Sequence, residues 1–88
     1  MTLIVHEDPT ARAQLARLLR EEGFETDDAG DGYEAIKKVW QGRYDTVFAD
    51  LGLRRMDGAT LAGHLREIAP EVRVVLIDGR PLAFPRLA

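Results

Sequence analysis

Residues 45–58 have the sequence DTVFADLGLRRMDG. Residues 45–50 form a largely apolar, β-favouring run that ends in Asp50, a pattern typical of a buried strand that delivers one carboxylate to the edge of a sheet. A similar run at residues 2–6 is followed by Glu7 and Asp8. If the two strands are parallel, their acids meet at the same sheet edge and form a carboxylate pocket. Such a pocket suits a hard metal ion and a phosphoryl group.

Strand and helix patterns alternate along the whole chain. The order is βαβαβαβ, which predicts an α/β fold with a parallel sheet and helices on both faces. The predicted strands lie at 2–6, 24–29, 45–50 and 72–77, and the predicted helices begin at Asp8-Pro9-Thr10, at Tyr33 and at Asp57-Gly58 and end at Gly23, Gly42 and Pro70. The helix residues expected to face the sheet are Ala11, Leu15, Leu18, Leu19, Ala35, Ile36, Val39, Trp40, Leu61, Leu65 and Ile68.

Ligands of open parallel sheets bind at the carboxyl ends of the strands. Glu7, Asp50 and Asp78 all fall at such ends. Their common position predicts the candidate site. A plain structural role, in which each acid only caps a loop, is the alternative for each of them.

The composition excludes several classes of function. The chain has 88 residues, a net charge of −3 and no cysteine. We therefore expect one domain without disulfides or thiolate chemistry, and no direct nucleic-acid binding, because a phosphate-backbone binder carries a basic patch. No apolar run approaches the roughly 20 residues of a membrane span, and no leader pattern is present, so we expect a cytoplasmic protein.

Four motifs in order resemble a two-component response-regulator receiver domain. They are the strand and acids at 2–9, Gly23-Phe24-Glu25, the segment 29–35, and Asp50 with Met56-Asp57-Gly58. The resemblance covers residues 2–79. It implies a flavodoxin-like sheet with strand order 2-1-3-4, a receiver-like domain at 1–79 and a C-terminal tail at 80–88.

The resemblance also implies the site chemistry. Asp50 would be the phosphoacceptor, receiving a phosphoryl group from a histidine kinase or phosphotransfer protein. The metal would be Mg²⁺ or another divalent ion, held by Glu7, Asp50 and the carbonyl of Gly52, with His6 left open as a further ligand. We expect no enzyme in the ordinary sense, and at most autocatalytic phosphoryl transfer to Asp50.

Several positions depart from the family pattern. His6 replaces an acid, which lowers the negative charge of the site and should weaken Mg²⁺ binding. Asp78 replaces a Ser or Thr, and its carboxylate would repel an aspartyl phosphate unless it pairs with Arg80 or binds the metal. Arg54 replaces the usual proline in the loop after Asp50.

The sequence does not contain the family's fourth helix, fifth strand with its Lys-Pro pair, and fifth helix. Because of the open sheet edge and the uncovered face, we would then expect the chain either to form a homodimer or to be partly disordered. Arg80-Pro81 is similar to the Lys-Pro pair, which makes Arg80 a candidate cation near Asp50. Two alternatives remain open: a phosphorylation-independent dimerisation or protein-interaction module, and a truncated fragment of a longer regulator.

Overall fold

Four parallel strands form the centre of the protein. The structure, a computed structural model, describes residues 1–78. Its elements are β1 (Thr2–Val5), α1 (Pro9–Glu21), β2 (Thr26–Ala29), α2 (Gly32–Trp40), β3 (Thr46–Asp50), α3 (Gly58–Ile68) and β4 (Arg73–Ile77). The strand order is β2-β1-β3-β4, so both the predicted α/β class and the predicted order are confirmed. Within these residues no helix is both long and apolar enough to cross a membrane.

An aspartate precedes each helix and caps it. The carboxylates of Asp8, Asp31 and Asp57 accept hydrogen bonds from backbone N–H groups in the first turns of α1, α2 and α3, at 2.8–3.0 Å. Each bond satisfies a donor that has no partner inside the helix, and the negative charge favours the helix N-terminus. Gly23 and Gly42, with φ of 95° and 81°, follow the ends of α1 and α2, as predicted.

Two apolar clusters cover the two faces of the sheet. One contains residues of β1, β3, α2 and α3, including the fully buried Leu61 and Leu65. The other is smaller and joins α1 to Ile4, with Phe48 and Ile77 only partly buried against it. The sheet is therefore well covered by α2 and α3, and less completely covered on the side of α1.

Two side chains predicted to face inward do not. Leu18 is 42% exposed and Trp40 is 73% exposed. Successive helix residues are rotated by about 100°. The buried arc of α1 runs from Leu15 through Leu19 to Ala16, which places Leu18 outside it. In α2, Trp40 lies one such rotation beyond the buried Val39. Helical spacing correctly predicted an apolar face on each helix, but it wrongly assigned Leu18 and Trp40, at the margins of these faces, to the buried side.

A polar cluster joins the edge strand β2 to α2 and to the chain before β3. The Tyr44 hydroxyl donates a hydrogen bond to Asp27, and Lys38 Nζ lies 3.3 Å from Asp27 Oδ1. These contacts, the Tyr44 hydrogen bond first, hold the pKa of Asp27 below its usual 3.8, although burial opposes them. Burial, followed by the contact with Asp27, raises the pKa of Tyr44 to about 12.

We expect Tyr44→Phe to lower the free energy of unfolding by about 1 kcal/mol at neutral pH, since Asp27 is partly exposed and water weakens the bond. The pKa of Asp27 is lower in the folded protein than its usual 3.8. Asp27 therefore stabilises the fold above pH 3.8, and this contribution is lost as the pH falls through the lowered pKa of the folded state. The raised pKa of Tyr44 stabilises below pH 10.0, and this contribution is lost as the pH rises through about 12. In urea denaturation, the difference between wild type and variant should therefore shrink at both extremes.

Tyr33→Phe is the matched control, because the Tyr33 side chain is 54% exposed. Its effect should be small and independent of pH. A Tyr44→Phe difference that stays constant from neutral pH to below pH 3.8 would show that the hydrogen bond to Asp27 does not stabilise the fold.

Candidate functional site

The sheet register brings the ends of β1, β3 and β4 to one level. Val5 is opposite Ala49, and Asp50 is opposite Ile77. His6, the residue after β1, and Asp50, the last residue of β3, therefore lie next to each other at the carboxyl ends of the strands. Parallel pairing explains why residues 44 positions apart in sequence meet here.

Asp50 is a buried carboxylate with one oxygen atom unpaired among the described residues. The residue is 7% exposed, and its Oδ1 atom is buried without a hydrogen-bond partner among the described residues. Burying a carboxylate oxygen unpaired is costly. An unpaired buried carboxylate oxygen at the carboxyl end of a parallel strand is typical of a site that binds a cation or a reacting group.

His6 lies beside this carboxylate. Its Nε2 is 3.7 Å from Asp50 Oδ2, and its Nδ1 accepts a hydrogen bond of 3.0 Å from the backbone N–H of Asp8. An accepting Nδ1 carries no proton, so the ring proton is on Nε2 and faces Asp50. Metal ligation through Nε2 would move that proton to Nδ1 and break the bond to Asp8. The arrangement therefore favours His6 as a donor facing Asp50 over His6 as a ligand.

Glu7 faces the loop that follows β3. Its Oε2 accepts the backbone N–H of Arg54 at 2.5 Å, and its Oε1 lies 3.4 Å from Arg54 Nε. The Glu7 side chain is 30% exposed, whereas that of Arg54 is 88% exposed. Glu7 is thus held near the site by the loop itself.

Of the two glycines in or next to this loop, only Gly58 is required for its close approach to Asp50. A Cβ atom at Gly52 would lie 3.5 Å from Asp50 Oδ2, an ordinary contact. A Cβ atom at Gly58 would lie 2.6 Å from the backbone oxygen of Asp50 and 3.0 Å from Leu51 Cα. Only glycine allows α3 to begin this near the end of β3.

Arg55 ties the loop to the start of α2. Its Nη1 lies 3.2 Å from Asp31 Oδ2, and its guanidinium sits 5.1 Å from the centre of the Tyr33 ring. Asp31 also caps α2. Arg54 and Arg55 therefore attach one loop to two different neighbours, Glu7 after β1 and Asp31 before α2.

The donor set suits a hard divalent ion that keeps much of its water. Asp50 and Glu7 supply carboxylate oxygens, and the unpartnered Oδ1 of Asp50 is an acceptor in need of a cation. Within residues 1–78, no three side chains of His, Cys, Asp or Glu form a group that could hold a metal. The Gly52 carbonyl and waters would have to complete a Mg²⁺ site, so the ligand set of Glu7, Asp50 and Gly52 stays a prediction.

Two further residues, Asp78 and Arg80, were predicted from the sequence to lie near the site. Asp78 directly follows β4 and is exposed. Arg80 and the tail 80–88 lie outside the described residues, so the role of Arg80 and the domain boundary stay predictions.

Three arginines near the site were not given a role from sequence. Arg12 is not among the α1 residues predicted to face the sheet, yet it is mostly buried and its Nη1 donates to the backbone oxygen of His6 at 2.7 Å. Arg54 and Arg55 brace the loop after β3. The sequence offered one indication, namely that Arg54 takes the position of the family's proline. It offered none for the contacts of Arg12 and Arg55, because helical periodicity carries no information about loop contacts.

Comparison with known proteins identifies the family of the chain. The chain matches the model of the response regulator receiver domain family over residues 2–80. The transcriptional regulatory protein TcrA of Mycobacterium tuberculosis is 35% identical over 86 residues, which are 98% of this chain and 34% of TcrA. The chain spans about a third of the length of such curated relatives.

Solved structures show the same fold. The response regulator TrrA of Thermotoga maritima, in complex with Mg²⁺-BeF, is 34% identical with a TM-score of 0.85, over 90% of this chain and 69% of TrrA. TrrA in complex with the histidine kinase ThkA gives 31% identity and a TM-score of 0.83, over 98% of this chain and 74% of that one. The chain therefore belongs to the response regulator receiver domain family of two-component signalling proteins.

Proposed function

We propose that Asp50 accepts a phosphoryl group from a histidine kinase or phosphotransfer protein, with Mg²⁺ as cofactor and in a cytoplasmic setting. The observation that carries the proposal is the buried, partly unpaired carboxylate of Asp50 at the carboxyl edge of the sheet. The TrrA structures with Mg²⁺-BeF and with ThkA support the choice of metal and partner.

The reaction requires little covalent chemistry from the protein. A carboxylate oxygen of Asp50 forms an O–P bond while the bond between phosphorus and the donor's leaving group breaks, and the leaving group keeps the electron pair. A divalent ion held by Asp50, Glu7 and the Gly52 carbonyl would neutralise phosphoryl charge. His6 Nε2–H, facing Asp50 Oδ2, would donate to an oxygen beside the new bond. The step modifies Asp50 itself and is not turnover of a substrate.

Incubation with acetyl phosphate and Mg²⁺, followed by intact-mass measurement, tests the proposal. We expect one phosphoryl group on the wild type and none on Asp50→Asn, because Asn keeps the shape of the side chain but lacks the nucleophilic oxygen. Removing Mg²⁺ with a chelator should abolish or strongly slow the modification.

Asp45→Asn is the matched control, because Asp45 is an exposed acid next to the start of β3. It lies at the amino end of the strand, whereas Asp50 lies at the carboxyl end. The variant should be modified like the wild type. Unmodified wild type, or equal modification of Asp50→Asn, would refute the assignment of Asp50 as acceptor.

A second candidate function is protein association through β4. Among the described residues β4 pairs with β3 only, and Leu76 on β4 is 40% exposed. We propose a homodimer through this edge or the adjoining face. Sedimentation of the same treated and untreated samples separates the two functions. A dimer that is unchanged in Asp50→Asn and by acetyl phosphate supports an interaction module, and a monomer in every sample contradicts it.

A further inference from the structure

Arg54 occupies both oxygens of the Glu7 carboxylate. Its backbone N–H donates to Oε2 at 2.5 Å, and its Nε lies 3.4 Å from Oε1. Glu7 is one of the two side-chain ligands in the proposed metal site. These contacts engage the carboxylate that the proposed ion would use, and an ion would have to share or displace them.

The two contacts differ in strength. The guanidinium of Arg54 is 88% exposed, and an ion pair so open to water contributes little. The backbone N–H is fixed by the loop, and hydrogen bonds from N–H groups to a charged carboxylate are short and strong. The backbone contact should therefore dominate the competition.

The residue type at this position decides whether that contact exists. Proline at this position would remove the backbone N–H, whereas alanine would keep it. Arginine supplies both the donor and a charge. Arg54 thus gives Glu7 two internal partners, which substitutions at this position can remove separately.

We propose that Arg54 is an internal competitor of the divalent metal ion: its backbone N–H and guanidinium hold Glu7, and metal binding releases the loop at residues 51–57 from Glu7. This proposal rests on the proposed function, in which Glu7 and Asp50 are the ligands. It assigns to Arg54 the role of lowering metal affinity and of coupling metal binding to the position of the loop.

Arg55 provides a matched control on the same loop. It contacts Asp31 and the Tyr33 ring and has no contact with Glu7 among the described interactions. Removing its side chain takes away an adjacent positive charge and a loop attachment, but leaves Glu7 engaged. An effect specific to Arg54 can therefore be separated from a general effect of charge.

Calorimetric titration with Mg²⁺ tests the competition in five proteins: wild type, Arg54→Pro, Arg54→Ala, Arg55→Ala and Asp50→Asn. We expect Arg54→Pro to bind about tenfold more tightly than wild type, the value of one hydrogen bond to a charged group. Arg54→Ala keeps the N–H and should gain only about twofold, as expected for an exposed ion pair. Arg55→Ala should match the wild type, and Asp50→Asn should bind more weakly.

A second measurement does not need the proline variant to fold. In the wild type, hydrogen exchange of the Arg54 amide should accelerate when Mg²⁺ is added, because the N–H loses its carboxylate partner. An unchanged exchange rate at saturating Mg²⁺ would overturn the competition, and so would a folded Arg54→Pro that binds no more tightly than wild type. If Asp50→Asn binds Mg²⁺ more weakly than wild type in either case, the proposed function is still supported. Absence of Mg²⁺ binding in every protein would overturn both proposals.

Discussion

Gly58→Ala is expected to lower the free energy of unfolding by about 3 kcal/mol, the upper end of ordinary overpacking effects. The added Cβ would lie 2.6 Å from the Asp50 backbone oxygen and 3.0 Å from Leu51 Cα. Both neighbours are backbone atoms, which cannot rotate away as the end of a side chain can. Relief requires α3 to move from β3, and this would disturb the Gly58 N–H to Leu51 hydrogen bond of 3.3 Å. Urea denaturation measures the change.

Gly63→Ala is the matched control on the same helix. A Cβ there meets nothing within 4 Å. Alanine is favoured over glycine inside a helix by up to about 1 kcal/mol, so this variant should equal or exceed the wild type in stability. The prediction for Gly58 fails if the two alanine variants are equally stable.

The Gly58 clash also has a functional consequence. The backbone that must move carries Asp50, the proposed acceptor, so the variant should accept phosphate more slowly even under conditions where it is folded. Positioning errors near 1 Å are enough for large losses of rate. The acetyl phosphate assay on the folded fraction of Gly58→Ala would detect this, with Gly63→Ala again as reference.

The fold was predictable because its determinants are local and periodic. Apolar runs at residues 2–6 and 45–50, together with aspartates at helix starts such as Asp57 and helix-ending glycines such as Gly23, each act over a few residues. Parallel pairing then required the acids to share an edge. The strand order followed from the family resemblance rather than from periodicity.

The details of the site were less predictable, because they depend on contacts between loops. Nothing in the local pattern indicates that the Arg54 N–H reaches Glu7, 47 positions away in sequence, or that the His6 ring accepts from Asp8. The same limitation explains why the contact of Arg12 with the His6 backbone was not predicted. A long flexible side chain can cross to a neighbouring turn, and residue type alone does not say which turn.

The second large effect is expected for His6→Asp, which restores an acid at the position where the family usually has one. The new carboxylate would lie near Asp50 Oδ2, now 3.7 Å from His6 Nε2. Like charges this close repel, and the buried setting of Asp50 weakens screening. Without a metal ion, we expect the variant to be about 2 kcal/mol less stable than wild type, within the Coulomb range for partly buried charges.

Mg²⁺ should reverse this loss, because a third carboxylate strengthens a site of hard oxygen donors. An ion at about 100 times its dissociation constant adds about 2.7 kcal/mol to the folded state, which is enough to offset the repulsion. His6→Asn is the matched control: it has the shape of Asp without the charge, and it loses the same hydrogen bond to the Asp8 N–H. Urea denaturation of both variants with and without Mg²⁺ should show a large metal-dependent gain for Asp and a small one for Asn. Equal gains would mean that position 6 does not face the metal site, and the role assigned to His6 beside Asp50 would have to be abandoned.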